Sequence, residues 1–190
     1  MDKYGIAIHG GAGTILKSTM TDEKEKAYRS ALEQALEAGY KVLEENGTAT
    51  QGVEAAIIEL ENNHLFNAGK GSVFNALGQH EMDASIMDGK TLNGGAIAAV
   101  RNVKNPIALA KKVLQYSDHI LLIGEGAATF ANQHNITFES DEYFYDELRY
   151  KQWQKVKDTD QFQLDHTEDP KKYLGTVGAV ALDKSGNLAA

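Results

Sequence analysis

Cysteine is absent from the 190 residues, which excludes disulfides, zinc–thiolate sites and a thiol nucleophile. No run of Lys or Arg with interleaved aromatics occurs, and the net charge of −8 with a pI near 5.2 argues against a phosphate-binding surface, so nucleic acid is not an expected partner. No apolar stretch approaches membrane-spanning length, and the first residues lack the charged-then-hydrophobic profile of a signal peptide. A cytoplasmic location away from any membrane is the expectation. Only two prolines are present; Pro106 follows Asn105 where a helix opens, and Pro170 lies in a polar stretch. What remains, 42% hydrophobic and 24% charged residues, is ordinary for a globular chain.

The apolar pattern divides the chain into alternating elements. Tyr4 to Ile8 reads as a buried strand running into a glycine turn, His9 to Gly13, where backbone can approach another group closely or take positive φ. From Asp22, with Glu25 as its capping partner, Ala31, Leu32, Ala35 and Leu43 recur at helical spacing until Gly47. A second helix begins near Thr48, paired with Gln51 at capping-box spacing, and ends in the polar stretch Glu61 to His64. His80 to Met87, an Asp88-Gly89 turn, and Thr91 to Val100 read as a hairpin. Asn105-Pro106 then opens a helix, with Asn as cap and Pro in the first position. A short strand, Ile120 to Ile123, precedes a helix from Gly124 to His134. Strands before and after a helical block suggest an α/β (α+β) chain with sheets packed between helices. From Lys151 to Lys172 the chain is polar and charged, which suits a mobile linker and equally a plain surface loop.

The most informative chemistry lies in Leu174-Gly175-Thr176-Val177-Gly178-Ala179-Val180. A Gly-Thr bond opens an apolar run. A threonine hydroxyl is a poor nucleophile until a base lies beside it, and an α-amino group freed at the same residue is such a base. Cleavage between Gly175 and Thr176 would therefore give one residue both roles. A buried strand with an incidental polar first residue is the plainer account of that segment taken alone.

Three further segments, Ile6-Ala7-Ile8-His9-Gly10-Gly11-Ala12-Gly13, Leu65-Phe66-Asn67-Ala68-Gly69-Lys70-Gly71-Ser72-Val73-Phe74 and Glu81-Met82-Asp83-Ala84-Ser85-Ile86-Met87-Asp88-Gly89, complete a set. In content, order and spacing the set resembles the plant-type L-asparaginase/isoaspartyl peptidase family of N-terminal nucleophile (Ntn) hydrolases. The resemblance implies a four-layer αββα sandwich, here incomplete, and a precursor that cuts itself before the threonine. On that basis residues 1–175 form the α-subunit region, with 151–175 as the linker before the cut, and 176–190 open a truncated β subunit.

The same resemblance implies the reaction. Thr176 attacks the Gly175 carbonyl, an ester forms by N-to-O acyl shift, and water hydrolyses it. The mature threonine then cleaves the β-amide of asparagine or the β-peptide bond of an isoaspartyl dipeptide through a β-aspartyl ester, releasing aspartate. Gly10, Gly11 and Asn67 fall on family segments near the active site, although Asn67 serves equally as a turn residue. Oxyanion donors and substrate clamps are implied to lie in the β-subunit region beyond Ala190, so the chain alone is expected to be inactive and to complete an (αβ)2 assembly with that region. No catalytic cofactor is implied. A structural sodium ion is, held by the main-chain carbonyls of Leu60, Glu61, Asn63, Phe66, Ala68 and Lys70; such hard oxygen donors leave little side-chain signature, and the residue types at Asn63 and Lys70 depart from the family without consequence. The six histidines, His9, His64, His80, His119, His134 and His166, show no metal-ligand spacing and read as scattered structural or surface residues. Glu81 and Asp83 share a strand face, which is more often structural than catalytic. The alternatives are a glycosylasparaginase-type amidohydrolase, disfavoured by the missing cysteines and secretory segment, and a non-catalytic truncated fragment.

Overall fold

A computed structural model of the protein describes residues 3–11, 20–157, 159 and 176–190. The described chain is a mixture of helices and two three-stranded sheets. In the first sheet β1 (Gly5–His9) pairs antiparallel with β5 (Gly178–Leu182), which pairs antiparallel with β6 (Leu188–Ala189). In the second, β2 (Met82–Met87) pairs antiparallel with β3 (Gly94–Val100), and β3 pairs parallel with β4 (Leu121–Ile123). The sheets meet where the Met87 and Ala190 backbones exchange hydrogen bonds, 2.7 Å and 3.2 Å, and Gly89 N donates to Leu188 O.

Helices α1 (Asp22–Glu44) and α2 (Ala49–Glu61) bury Ala35, Leu43, Val53, Ala56 and Leu60 between them and the first sheet. Their apolar positions recur at helical spacing, so one stripe of each helix leaves water. Helix α3 (Pro106–Tyr116) covers the second sheet with Ile107, Ala110 and Val113. It sits so close that a Cβ on Gly95 of β3 would come within 2.3 Å of Ala110 O and Leu114 N; only glycine permits that approach. Helix α4 (Gly124–Gln133) follows β4, and α5 (Asp141–Phe144) and α6 (Glu147–Val156) come after it.

Several local expectations change. The cap of α1 is Thr21, whose side chain accepts from Lys24 N at 3.2 Å, so Asp22 and Glu25 are first-turn acids favoured by the helix dipole and not a capping pair. The Asp88-Gly89 turn is replaced by a longer connection, because the Asp88 carboxylate accepts from Lys90 N and Thr91 Oγ1 and the positive φ falls on Leu92. Asn105 makes no side-chain capping bond. The polar stretch from Lys151 begins inside α6, where Asp146 caps the helix by accepting from Arg149 N. The rest of the proposed linker, apart from Lys157 and Thr159, lies outside the described residues, as do Gly175 and His166. Thr48 and Gln51, by contrast, form the reciprocal box their spacing suggests, Thr48 N to Gln51 Oε1 at 2.8 Å and Gln51 N to Thr48 Oγ1 at 3.3 Å.

Candidate active site

Strand β5 alternates, with Ala179 and Ala181 buried and Val180 exposed, as a strand with one covered face should. Its pairing with β1 runs without a bulge from Gly5↔Leu182 to His9↔Gly178. That register carries the residues just before β5 alongside the glycines just after β1. Thr176 consequently lies against Gly11, where a Cβ would stand 3.5 Å from Thr176 O and where φ is +130°. Gly10 faces the other way: a Cβ there would meet Leu32 Cδ2 at 2.9 Å and Phe66 Cε1 at 3.0 Å. Gly10 is thus held by close packing against the core and Gly11 by its positive φ beside Thr176.

Thr176 is exposed and lines a cavity of about 1030 Å³. His9, Asn67, Ser72, Glu81 and Asp83 border the same space, over an apolar floor that includes Val53, Ile57 and Ile97. Thr176 and Asn67 therefore share one cavity, while Gly10 and Gly11 are not among the residues that line it. Asn67 Oδ1 accepts from Val73 N at 3.0 Å, which closes the loop between them. Asp83 Oδ1 accepts from Ala99 N at 2.8 Å beside the β2–β3 irregularity, where Ala99 takes a φ of 52°. That bond gives Asp83 a structural task on its strand face.

The loop after α2 gathers main-chain oxygens. A Cβ on Gly69 would come within 2.4 Å of Glu61 O, and one on Gly71 would meet Phe66 O and His64 O at 2.1 Å and 2.6 Å. Glu61 and Phe66 thus bring carbonyls to a tight glycine turn, joined by that of His64, which is not one of the six the resemblance implies. The carbonyls of Leu60, Asn63, Phe66 and Ala68 each accept an amide of the same loop. A carbonyl has a second lone pair, so this donor set fits a hard monovalent cation. Among the described residues no group of three or more His, Asp or Glu side chains converges as a metal site.

Two buried carboxylates escaped the sequence reading. Glu61, 2% exposed, reaches from the end of α2 to the start of α3, where its Oε1 accepts from Ile107 N at 2.9 Å. Burial pushes its carboxyl up to about 8, against the opposing pull of the Ile107 and Asn105 donors, and Oε2 has no hydrogen-bond partner. Asp183, 4% exposed, accepts from Ala49 N, Ser185 N and Asn187 N. Burial alone would raise its pKa; the donors from Asn187, Ala49 and Ser185 outweigh it and hold the carboxyl below its ordinary value. His80 is buried, with Nδ1 donating to Ser72 O at 3.0 Å, and burial holds its imidazole below 6.5. It packs against the Phe74 ring with centroids 4.1 Å apart, and its Nε2 has no hydrogen-bond partner. No spacing rule links such residues to their partners, which lie in other elements.

Comparison with known proteins follows the same lines. A family model described as asparaginase matches residues 2–190. An isoaspartyl peptidase of Salmonella typhimurium is 44% identical over 193 residues, covering 100% of the chain and 62% of that protein. A human isoaspartyl peptidase/L-asparaginase is 43% identical over 97% of the chain and 58% of its own length. A plant-type L-asparaginase of Pyrobaculum calidifontis is 42% identical over 97% of the chain and 60% of its own. The chain spans about three-fifths of the length of the curated relatives it matches.

Proposed function

Because the chain belongs to the asparaginase family, with relatives named isoaspartyl peptidase and plant-type L-asparaginase, we propose that the full-length protein hydrolyses the β-amide of asparagine and isoaspartyl dipeptides, with Thr176 as nucleophile. The observation that carries this is the position of Thr176, exposed at a large cavity with its carbonyl beside Gly11. Self-cleavage of the Gly175–Thr176 bond frees the amine that serves as base. The Thr176 hydroxyl adds to the substrate's β-carbonyl, its proton passes through that amine to the leaving ammonia or amino acid, and water then opens the β-aspartyl ester to give aspartate and restore the hydroxyl.

Asn67 borders the same cavity and positions its loop. The carbonyls of Leu60, Glu61, Asn63, Phe66, Ala68 and Lys70 would hold a sodium ion that fixes this loop; the crowded oxygens at Gly69 and Gly71 support the assignment for Glu61 and Phe66. The folded enzyme is an Ntn-type αββα sandwich working as an (αβ)2 assembly in the cytoplasm. Among the described residues no helix is long and apolar enough to cross a membrane.

Parallel kinetics on asparagine, an isoaspartyl dipeptide, its α-linked isomer and a glycosylated asparagine test the substrate class. The two β-linked small substrates are expected to turn over, and Thr176→Ala to abolish turnover. Preference for the α-linked isomer would refute the class, and preference for glycosylated asparagine would identify a glycosylasparaginase. The 190-residue chain alone is expected to release no ammonia from asparagine above the level of its own Thr176→Ala variant.

A further inference from the structure

Immediately after β5, two adjacent residues of opposite charge meet the facing ends of two consecutive helices. Lys184 Nζ donates to Glu44 O at 2.6 Å and to Asn46 Oδ1 at 3.1 Å, at the C-terminus of α1. Its ammonium also lies 5.1 Å from the centre of the Tyr4 ring, just before β1. Asp183 Oδ2 accepts from Ala49 N, the first residue of α2, at 3.2 Å, while Oδ1 holds Ser185 N and Asn187 N of the β5–β6 turn. A cation at a helix C-terminus and an anion at a helix N-terminus both take the favourable sign of the helix dipole. The α1–α2 connection is thereby gripped from both sides by a single dipeptide.

The clamp sits at the opposite end of β5 from Thr176. Between them the β1–β5 ladder has no bulge that could absorb a shift. A slip of one residue in such a ladder moves the strand by about 3.3 Å and turns every side chain to the other face. Alternation alone guards the register weakly here, since the two buried residues of β5, Ala179 and Ala181, are both alanine, and small side chains bury little apolar area. A fixed polar anchor at one end supplies what the side chains do not.

We propose that Asp183 and Lys184 are positioning residues for Thr176: the dipeptide sets the register of β5 on the α1–α2 pair and so fixes where the threonine stands relative to Gly11 and the cavity. The inference rests on the assignment of Thr176 as nucleophile for its catalytic consequence, and on geometry alone for its effect on the strand.

Lys184→Met is the informative variant, because the residue is only partly buried and methionine keeps an apolar stem over Tyr4. In the full-length protein, amide hydrogen exchange should accelerate about tenfold at Ala179–Ala181, the ratio expected from loss of a charged hydrogen bond. Exchange in β2 and β3 should not change. Self-cleavage before Thr176 and kcat should fall by a similar factor with KM within about twofold, and Lys184→Arg should restore both because it keeps donors and charge. Lys90→Met, on an exposed loop, serves as the control. Unchanged exchange in β5, acceleration spread equally over both sheets, or an Arg variant as impaired as Met would each overturn the clamp. If β5 loosens selectively in a protein that never cuts before Thr176, the register clamp stands and the nucleophile assignment fails.

Discussion

Helices α2 and α3 begin alike on paper, with Thr48 before Ala49 and Asn105 before Pro106, each a good capping residue ahead of an apolar stripe. Their first amides are satisfied in different ways. Thr48 and Gln51 close a local box, supplemented by Asp183 from across the fold. Asn105 donates its side-chain amide to Asn62 Oδ1, and the capping acceptor for Ile107 N comes from Glu61, at the end of the preceding helix. Proline at the first position of α3 removes one donor, and the carboxylate takes the next. Local chemistry therefore does part of the work at α2, where Thr48 and Gln51 close a box and Asp183 takes the buried Ala49 amide, whereas α3 draws its capping acceptor wholly from another helix.

Removing the distant acceptor of α3 should produce the largest loss. Glu61→Ala strands Ile107 N in the core and leaves a void, and should lower unfolding free energy by about 3 kcal/mol in urea titration. Glu61→Gln keeps the acceptor and resembles the neutral acid that predominates well below its pKa of about 8, so it should cost less than about 1 kcal/mol. Equal losses in the two variants would mean that the carboxylate's second oxygen, not the cap, matters.

The distant acceptor of α2 should matter less than that of α3. Asp183→Ala is expected to cost about 2 kcal/mol, since three backbone donors lose their acceptor but two lie in a turn that water can reach. Because the folded pKa of Asp183 is depressed below 3.8, its stabilisation is complete above that value and is lost as pH falls through the folded pKa. The difference between the native protein and Asp183→Asn should shrink over that acid range; a constant difference would show that charge plays no part.

The local caps give the smallest effects and the sharpest contrast. Thr48→Ala should cost about 1 kcal/mol, the usual value for a capping hydroxyl. Asn105→Ala, which removes the side-chain hydrogen bond of a half-buried residue but no cap, should cost about 0.5 kcal/mol, the low end for such a bond. A reversed order in thermal unfolding would contradict the assignment of Glu61 as the cap of α3.

These contrasts also mark where sequence reading stops. Periodicity located β1, α1, α2, the β2–β3 hairpin, α3, β4 and α4, because each carries an apolar face with its own repeat. Helix α6 was missed from Lys151 onward: its surface is rich in Lys and Gln, and it is held by Trp153 and Tyr150 against Phe74, contacts with no sequence period. At the site, motif content singled out Thr176 and Asn67, and the finished packing places both on one cavity. The tasks of Glu61, Asp183 and Lys184 were not legible, since each acts on a residue in another element and depends on the finished packing.

The central claim, that Thr176 is a nucleophile unmasked by the protein itself, is tested most directly by intact-mass analysis and N-terminal sequencing of the purified full-length product. The account predicts two fragments, the second beginning at Thr176, and a single uncut chain for Thr176→Ala. A fragment that begins at any other residue, or an uncut protein that hydrolyses an isoaspartyl dipeptide, would contradict it.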